Sequence, residues 1–514
     1  MQVAVNHHRA GRLQQAEKIY REVLALEPNH AGALQYMGVL ASLAGKPDLA
    51  TVLIRRAIAI NPSSEEAYNN LGGTFYASGQ IDEAIEAWRE ALKLDPHNAS
   101  THSNLLFALH YHPDYDARAI LDESLRWART HVERLCPKKF SHVNDPNPNR
   151  RLRIGYVSPD FYRHVIGRSI RPVFKHRDRD LFENFCYSDV EVPDSLTEEF
   201  RGEADHWREI RNVSDEKVAE WVHADRIDIL VDLSAHSACN RLLMFGRKPA
   251  PIQVSYLAYC GTTGMKEIDY RLSDPYLDPS ESELECYIEK TIRLPHSYWY
   301  YQPLEEAPGI SPLPALSANH VTFGCLSNIA KVSPITWELW MELLASVPGA
   351  HLLIHVPEGA RREALGKSWT QRGFSPERLE FVGTQPWQQY LENWQRCDLG
   401  LDPFPFGGGI TTCDALWMGV PVITLSGRTA VGRGGRSILS NIGLPELIAE
   451  TPRQYLEIAA SLAADLPRLC EMRLGLRDRM EQSPLRDARN HTREIEAAYR
   501  EIWKRWCEGK TMAG

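Results

Sequence analysis

A 34-residue period governs roughly the first 110 residues of this chain, and it leaves few options for how they fold. Gly11, Gly45 and Gly79 form one series and Ala16, Ala50 and Ala84 a second. Tyr20, Ile54 and Trp88 form a third, and Pro28, Pro62 and Pro96 a fourth. A unit of this length is one helix pair, which cannot bury its apolar face alone and must stack on copies of itself. Small residues let the paired helices cross closely, large apolar ones fill the gap, and the proline ends the second helix.

The best copy, Tyr68, Leu71, Gly72, Phe75, Ala84, Trp88, Ala91 and Pro96, matches the tetratricopeptide pattern. Asn104-Leu105 continue the register of Asn70-Leu71 into a further unit, whose second helix, about Asp116 to Leu135, drifts from the pattern as a last repeat should. Such an array forms a concave groove for extended peptides, so capture of protein or peptide partners is one expectation. A rigid spacer or a homodimer surface is the other.

The Pro- and Asn-rich stretch 136–150 reads as a linker. Beyond it the pattern changes to strands alternating with helices, the signature of a parallel sheet. Leu152–Ser158, Phe185–Tyr187, Ile227–Leu233 and Ile252–Leu257 read as strands of one unit, with a helix at Glu216–His223. After a second Pro-rich stretch around Tyr300 to Leu316 the alternation restarts. Strands are expected at Val321–Leu326, His351–His355, Leu379–Val382 and Leu399–Leu401, and helices at Pro334–Leu344, Ala360–Arg372 and Trp387–Arg396. The expected organisation is therefore a repeat domain (1–135), the linker, and two Rossmann-like halves (151–312 and 313–483). A charged amphipathic helix in 484–514 is expected to pack back across both halves. Ligands of such sheets sit at the carboxyl ends of the strands, which points to the cleft between the halves.

The run Asp398–Leu425 carries the strongest ligand signal: strand, Gly407-Gly408-Gly409, short helix from Thr411-Thr412, and the strand Val422–Leu425. Glycines permit close backbone approach, and free N–H groups at a helix start suit a diphosphate. An ordinary glycine turn at a strand–helix corner would read the same way. His164 and Lys331 each follow a strand's end: His164 could exchange a proton near neutral pH, and Lys331 could neutralise charge on a nucleotide leaving group. As residues alone, both also fit plain solvated loops. The stretch Ser426 to Arg436, with three arginines and four glycines, reads as a second phosphate or acceptor loop or as a flexible solvated one. The triplets Asp114-Tyr115-Asp116 and Asp178-Arg179-Asp180 are not placed to hold a metal at the cleft, and the basic run Arg163 to Arg179 reads mainly as a solvated face.

Composition narrows the partners. A net charge of −9 and a pI near 6.1 argue against a general nucleic-acid binder. Ten cysteines, spread from Cys136 to Cys507 without a CxxC pair or a Cys/His cluster, favour a reducing cytoplasm and no structural metal. No signal-like apolar segment opens the sequence, and no apolar run approaches the roughly 18 residues of a membrane span. A cytoplasmic location without membrane attachment is expected.

Taken in order, the repeats, LRIGYVSPDFYRHVIG, ILVDLSAHSACNRL, PAPIQVSYLAYCGTTG, VTFGCLSNIAKVSP and LGLDPFPFGGGITTCDALWMGVPVITL resemble the O-linked N-acetylglucosamine transferase family, specifically a bacterial homologue with a shortened array. The resemblance covers nearly the whole chain. It implies a GT-B fold and inverting, metal-independent transfer of a sugar, usually from UDP-GlcNAc, to Ser or Thr hydroxyls. The family's D-F-x-x-H histidine falls on His164 and its diphosphate lysine on Lys331. Its neighbouring amide position falls on Asn328, the backbone N–H loop on Gly409, Ile410 and Thr411, and the ribose carboxylate on Asp414. Two departures stand out. Tyr390 occupies the place of a histidine that stacks on uracil in many members, and Gly409-Ile410-Thr411 replaces the His-Thr-Thr of animal members. Related plant proteins transfer fucose from GDP-fucose and related bacterial enzymes transfer glucose to Asn. Three readings result: an O-GlcNAc transferase with no cofactor beyond its UDP-sugar donor, an O-fucosyltransferase on the same fold, and a peptide-binding scaffold whose second half only senses nucleotide.

Overall fold

The structure, a computed structural model, describes residues 1–135, 142–279, 286–303 and 307–511, so the expected linker lies partly outside the described residues. Helix pairs fill the repeat region: Gln2–Arg9 with Leu13–Leu26, Ala31–Leu43 with Pro47–Ile60, Glu65–Ala77 with Ile81–Leu94, and Ala99–Leu109 with Ala117–His131. The four residue series explain themselves in three dimensions. Gly11, Gly45 and Gly79 take φ near +71 to +74° in the turns, a left-handed conformation that favours glycine. Ala16, Ala50 and Ala84 are fully buried, as are Tyr20 and Ile54, and Trp88 nearly so. A methyl group on Gly72 would stand 2.6 Å from the Trp88 indole, so that helix crossing exists only because Gly72 has no side chain. Three helices stop at Leu26, Ile60 and Leu94, two residues before Pro28, Pro62 and Pro96, because the residue preceding proline avoids helical geometry.

Two parallel sheets come next. In the first, β1 (Leu152–Ser158), β2 (Phe182–Ser188), β3 (His206–Glu209), β4 (Ile229–Asp232), β5 (Ile252–Ser255), β6 (Tyr270–Ser273) and β7 (Lys290–Arg293) lie in the order 3-2-1-4-5-6-7. In the second, β8 (Thr322–Cys325), β9 (His351–His355), β10 (Leu379–Val382), β11 (Leu399–Leu401), β12 (Val422–Leu425) and β13 (Ile448–Ala449) lie in the order 10-9-8-11-12-13. Both are doubly wound, and in each the strand order reverses between the first and fourth strands, which opens a crevice at their carboxyl ends. The expected fold class, a helical repeat array followed by two Rossmann-like halves, is the one observed. The strands missed in the sequence are short or polar: β3 reads His-Trp-Arg-Glu, and β13 has two residues.

Two elements cross the expected domain limits. Trp127, Ala128 and Val132 of the last repeat are buried with Val157, Tyr187, Leu242, Phe245 and Met265 of the first half, so that repeat shares a core with the sheet. The final helix, Ala488–Thr511, buries Ile495, Tyr499, Ile502 and Trp503 in the first half's core, against the helix Val165–His176. Its apolar face completes the first half, while Leu485, just ahead of it in the segment 484–514, is buried in the core of the second and Arg486 lies over Trp417. Trp503 Nε1 donates to the Asn147 carbonyl at 3.1 Å and Arg500 to those of Pro148 and Arg150 at 2.8 Å, tying the end of the linker under the helix.

Candidate active site

The second half builds an anion cradle at its crevice. β8 ends at Cys325, and a single 3-10 turn, Ile329–Lys331, carries the chain back towards the sheet; Asn328 caps that turn, its side chain accepting from the Ala330 N–H at 3.0 Å. Asn328 thereby sets the direction of Lys331. The Lys331 ammonium donates to the Gly407 carbonyl at 2.7 Å and lies 4.4 Å from the centre of the Phe406 ring. Burial pulls its pKa down to about 8, against the opposing pull of the Asp402 carboxylate. A cavity of about 220 Å³ opens beside it, lined by Gly407, Gly408, Gly409, Ile410 and Thr411 on one side and by Val165, Ile166 and Tyr259 of the first half on another.

The glycine loop is held by one buried carboxylate. Asp402 accepts from the Gly408 N–H at 2.6 Å and the Thr424 hydroxyl at 2.7 Å, and burial raises its pKa. A side chain on Gly408 would collide with Thr412 Oγ1 at 2.0 Å and Asp402 at 2.6 Å, so glycine is obligatory there for the protein's own packing. Gly409 differs: a methyl group there would meet only Trp299, at 3.9 Å. The helix Ile410–Trp417 starts immediately after Gly409; the Thr412 and Cys413 N–H groups bond the Gly409 carbonyl, while Ile410 and Thr411, whose N–H groups have no helical partner, line the cavity. Thr411 Oγ1 is 3.2 Å from Ser327 Oγ, which links the loop to the end of β8.

His164 is the N-cap of the helix Val165–His176. Its Nδ1 faces the Ile166 N–H and Asp160 Oδ1, each at 3.4 Å. Burial lowers the His164 pKa and raises that of Asp160, while each opposes the shift of the other. The imidazole lines a second cavity of about 530 Å³, together with Asp160, Tyr162, Glu191, Arg211 and Cys239. His164 and Lys331 therefore stand in neighbouring cavities that share the start of one helix, since Val165 and Ile166 line the first.

Asp414 and Tyr390 come together with each other rather than with the lysine cavity. Asp414 is buried in the helix Ile410–Trp417 and accepts from Tyr301 at 2.8 Å and Tyr390 at 3.2 Å; burial raises its pKa to about 6. The Tyr390 hydroxyl expected at the base is thus engaged by the carboxylate expected at the ribose. Trp387, 44% exposed, meets the Tyr390 ring edge-on at 5.3 Å and offers the open aromatic face. Arg168, within the run read as a solvated face, is buried: it donates to the Gln302 carbonyl, approaches Asp414 to 4.0 Å and lies over Trp387. The sequence signal was its position one helical turn after His164.

The arginine- and glycine-rich stretch 426–436 has a bracing role. Arg433 is buried and donates to the Leu277 carbonyl and the Asp278 carboxylate of the first half, and Arg436 pairs with Glu450 at 3.0 Å. Gly434 and Gly435 pack on Gly408 and Asp402, where a methyl group would sit about 2.5 Å from their atoms. Asp116 caps a repeat helix and Asp178 accepts from the N–H groups of Asp180 and Leu181, so the acidic triplets serve local structure. Among the described residues no helix is long and apolar enough to cross a membrane.

The geometry can be set beside known proteins. Residues 96–302 and 313–495 match the model of glycosyl transferase family 41, and residues 7–73 and 72–110 match tetratricopeptide repeat models. The chain is 35% identical over 412 residues to a probable UDP-N-acetylglucosamine–peptide N-acetylglucosaminyltransferase SPINDLY of Solanum lycopersicum, covering 79% of this chain and 44% of that one. It is 30% identical over 373 residues to the probable transferase SEC of Arabidopsis thaliana, covering 70% and 38%. The chain thus spans under half the length of the curated relatives it matches. A mutant form of the Thermobaculum terrenum O-GlcNAc transferase superposes with a TM-score of 0.93 at 36% identity, covering 99% of this chain and 97% of that one.

Proposed function

The chain belongs to glycosyl transferase family 41, and on that premise we propose that it is an inverting transferase moving N-acetylglucosamine from UDP-GlcNAc to Ser or Thr hydroxyls of proteins without a metal ion. The observation that carries this reading is the half-buried Lys331 ammonium facing a helix start across the glycine loop. There the charge gained by a departing diphosphate meets a cation and unpaired N–H groups fixed in advance, the arrangement that lowers a barrier most. Lys331 now donates to Gly407 O; a phosphate oxygen would take that bond over. That the relatives are named as UDP-N-acetylglucosamine–peptide N-acetylglucosaminyltransferases supports UDP-GlcNAc as donor.

His164 stands on the other side of the shared helix start, where an acceptor hydroxyl would enter. Nδ1 faces both the Ile166 N–H, whose bond it accepts as helix cap, and Asp160 Oδ1. When it gives up the cap bond and carries its proton towards Asp160, the Nε2 lone pair is free to receive the hydroxyl's proton as the sugar is attacked opposite the diphosphate. Trp387 would offer a stacking face to the base, and Asp414 a ribose contact once Tyr390 or Tyr301 yields it. The repeats would present the acceptor polypeptide, and nothing in the scheme calls for a cofactor, nucleic acid or membrane.

Calorimetric titration with UDP and with GDP in EDTA tests the reading. Tight, chelator-insensitive UDP binding is expected. Preference for GDP would favour the fucosyl reading, which the engagement of Tyr390 by Asp414 keeps open because it alters the polar edge available to the base. Binding of neither would leave a scaffold.

A further inference from the structure

The last repeat reaches the donor cavity. Tyr111, just past the helix Ala99–Leu109, is 4% exposed and lines the same cavity as Lys331. Its ring stacks on Phe406 with centroids 4.6 Å apart and planes inclined by 21°, and Phe406 is the ring under the Lys331 ammonium. Phe107, one turn earlier, meets Phe406 edge-on at 6.4 Å and Tyr259 of the first half at 5.4 Å. The Tyr76 hydroxyl of the preceding repeat donates to the Tyr111 hydroxyl at 3.0 Å. A file of aromatic groups thus runs from the third repeat to the lysine, and it enters where both halves meet.

From this geometry we propose that Tyr111 is a positioning residue for the donor site: by stacking on Phe406 it holds that ring beneath Lys331 and makes the repeat array a wall of the diphosphate cradle. The inference rests on reading Lys331 as the diphosphate's partner. Phe406 is only partly buried even with Tyr111 stacked on it, and it comes after the buried run Leu399–Asp402 in the loop that carries Gly407. Without Tyr111 the ring has a free face, water gains a route to the ammonium, and Lys331 loses the surface that fixes its reach. The match to the family model begins at residue 96, so the repeat that supplies Tyr111 lies inside the matched region.

The test uses the full chain and two readouts. Reductive methylation of Lys331 across neutral to alkaline pH, located by mass spectrometry, reports the amine's titration; calorimetry with UDP and GDP reports the site. Wild type and Tyr111→Phe should titrate alike, near 8. Tyr111→Ala and Tyr111→Leu should titrate about one unit higher, because hydration relieves the desolvation that depresses the amine. Both should weaken nucleotide binding about tenfold, equivalent to about 1.4 kcal/mol, and in a Lys331→Met background the same changes should cost nothing further. Tyr111→Leu keeps an apolar side chain in the repeat's packing but is too small to cover the face of Phe406, and it decides the matter if Tyr111→Ala does not fold. An unshifted lysine titration, or an equal loss of affinity in both backgrounds, overturns the proposal. If wild type binds neither nucleotide, the functional reading falls, and the lysine titration alone decides the role of Tyr111.

Discussion

The two α/β halves share a strand order and diverge at the ends of the same strands. Each half has a functional candidate six residues past the end of its first strand, His164 after Ser158 and Lys331 after Cys325. Each has a buried aspartate at the end of its fourth strand that gathers the adjoining loop: Asp232 accepts from the N–H groups of Ser234 and Ala235, and Asp402 from that of Gly408. The loops themselves are unlike. After Asp402 come glycines and a helix start around an open cavity. After Asp232 comes His236, buried, bonded to Ser103 Oγ at 3.1 Å and the Thr263 carbonyl at 2.9 Å, and packed edge-on against Trp127. The repeat array fills part of the first half's crevice, whereas at the second it supplies one wall, through Tyr111, and leaves a cavity. Topology supplies a crevice twice, and the residues after the fourth strand decide whether protein fills it or a cavity remains.

The largest test of that contrast separates the two six-residue positions. His164→Ala should lower transfer about 10²–10⁴-fold, the usual range for a lost proton acceptor, with UDP affinity unchanged. Lys331→Ala should lower transfer about 10²–10³-fold and weaken UDP binding with it. If both variants lose nucleotide affinity equally in calorimetry, the division of labour between the halves is wrong. Next come the aspartates. Asp402→Ala and Asp232→Ala should each cost about 1–3 kcal/mol in urea unfolding through stranded N–H groups, and only the first should impair UDP binding.

A smaller effect concerns pH. Lys331 has a folded pKa of about 8, below its ordinary 10.5, so between those values the unfolded chain binds more protons. Its contribution to stability therefore rises with pH across that window, the penalty for burying the charge being fully present below about 8. UDP affinity should run the opposite way and fall above pH 8 as the ammonium is lost. Parallel trends in melting temperature and affinity would show that another group controls binding. Smallest of all, Ser103→Ala should cost about 1 kcal/mol of stability, by removing a buried partner of His236, and leave UDP affinity untouched.

Sequence reading found this architecture unevenly, for physical reasons. Strands His351–His355, Leu379–Val382, Leu399–Leu401 and Val422–Leu425 coincide with their expected bounds, because short stretches rich in Leu, Ile, Val and Phe bounded by turn and helix signals leave little choice. The Gly-Thr helix start and Lys331 were legible because backbone chemistry at a strand's end is local. Arg168 was not, since a charge in a basic helix looks solvated until a tertiary neighbour such as Asp414 is known. Tyr111 was out of reach altogether: its partner Phe406 lies in another domain, and no periodicity connects them. The glycines of 426–436 carry two demands at once: Gly434 and Gly435 pack on Gly408 and Asp402, and Gly434 with Val431 also lines the lysine cavity, so the sequence alone could not separate packing from closeness to a ligand.

The placement of the final helix has a consequence for how the protein is made. The first half's last strand ends at Arg293, yet Ile495, Tyr499, Ile502 and Trp503 are needed to close its core. At ordinary synthesis rates of about 5–20 residues per second, that half waits on the order of ten seconds or more with an apolar face uncovered while the rest of the chain is translated. The second half has its whole sheet by Ala449 and its last core residue at Leu485, ahead of the Ile495 at which the closing face of the first half begins. The nascent chain is thus expected to complete its domains in the reverse of their order along the message, and chaperones would find their target in the part that emerged first.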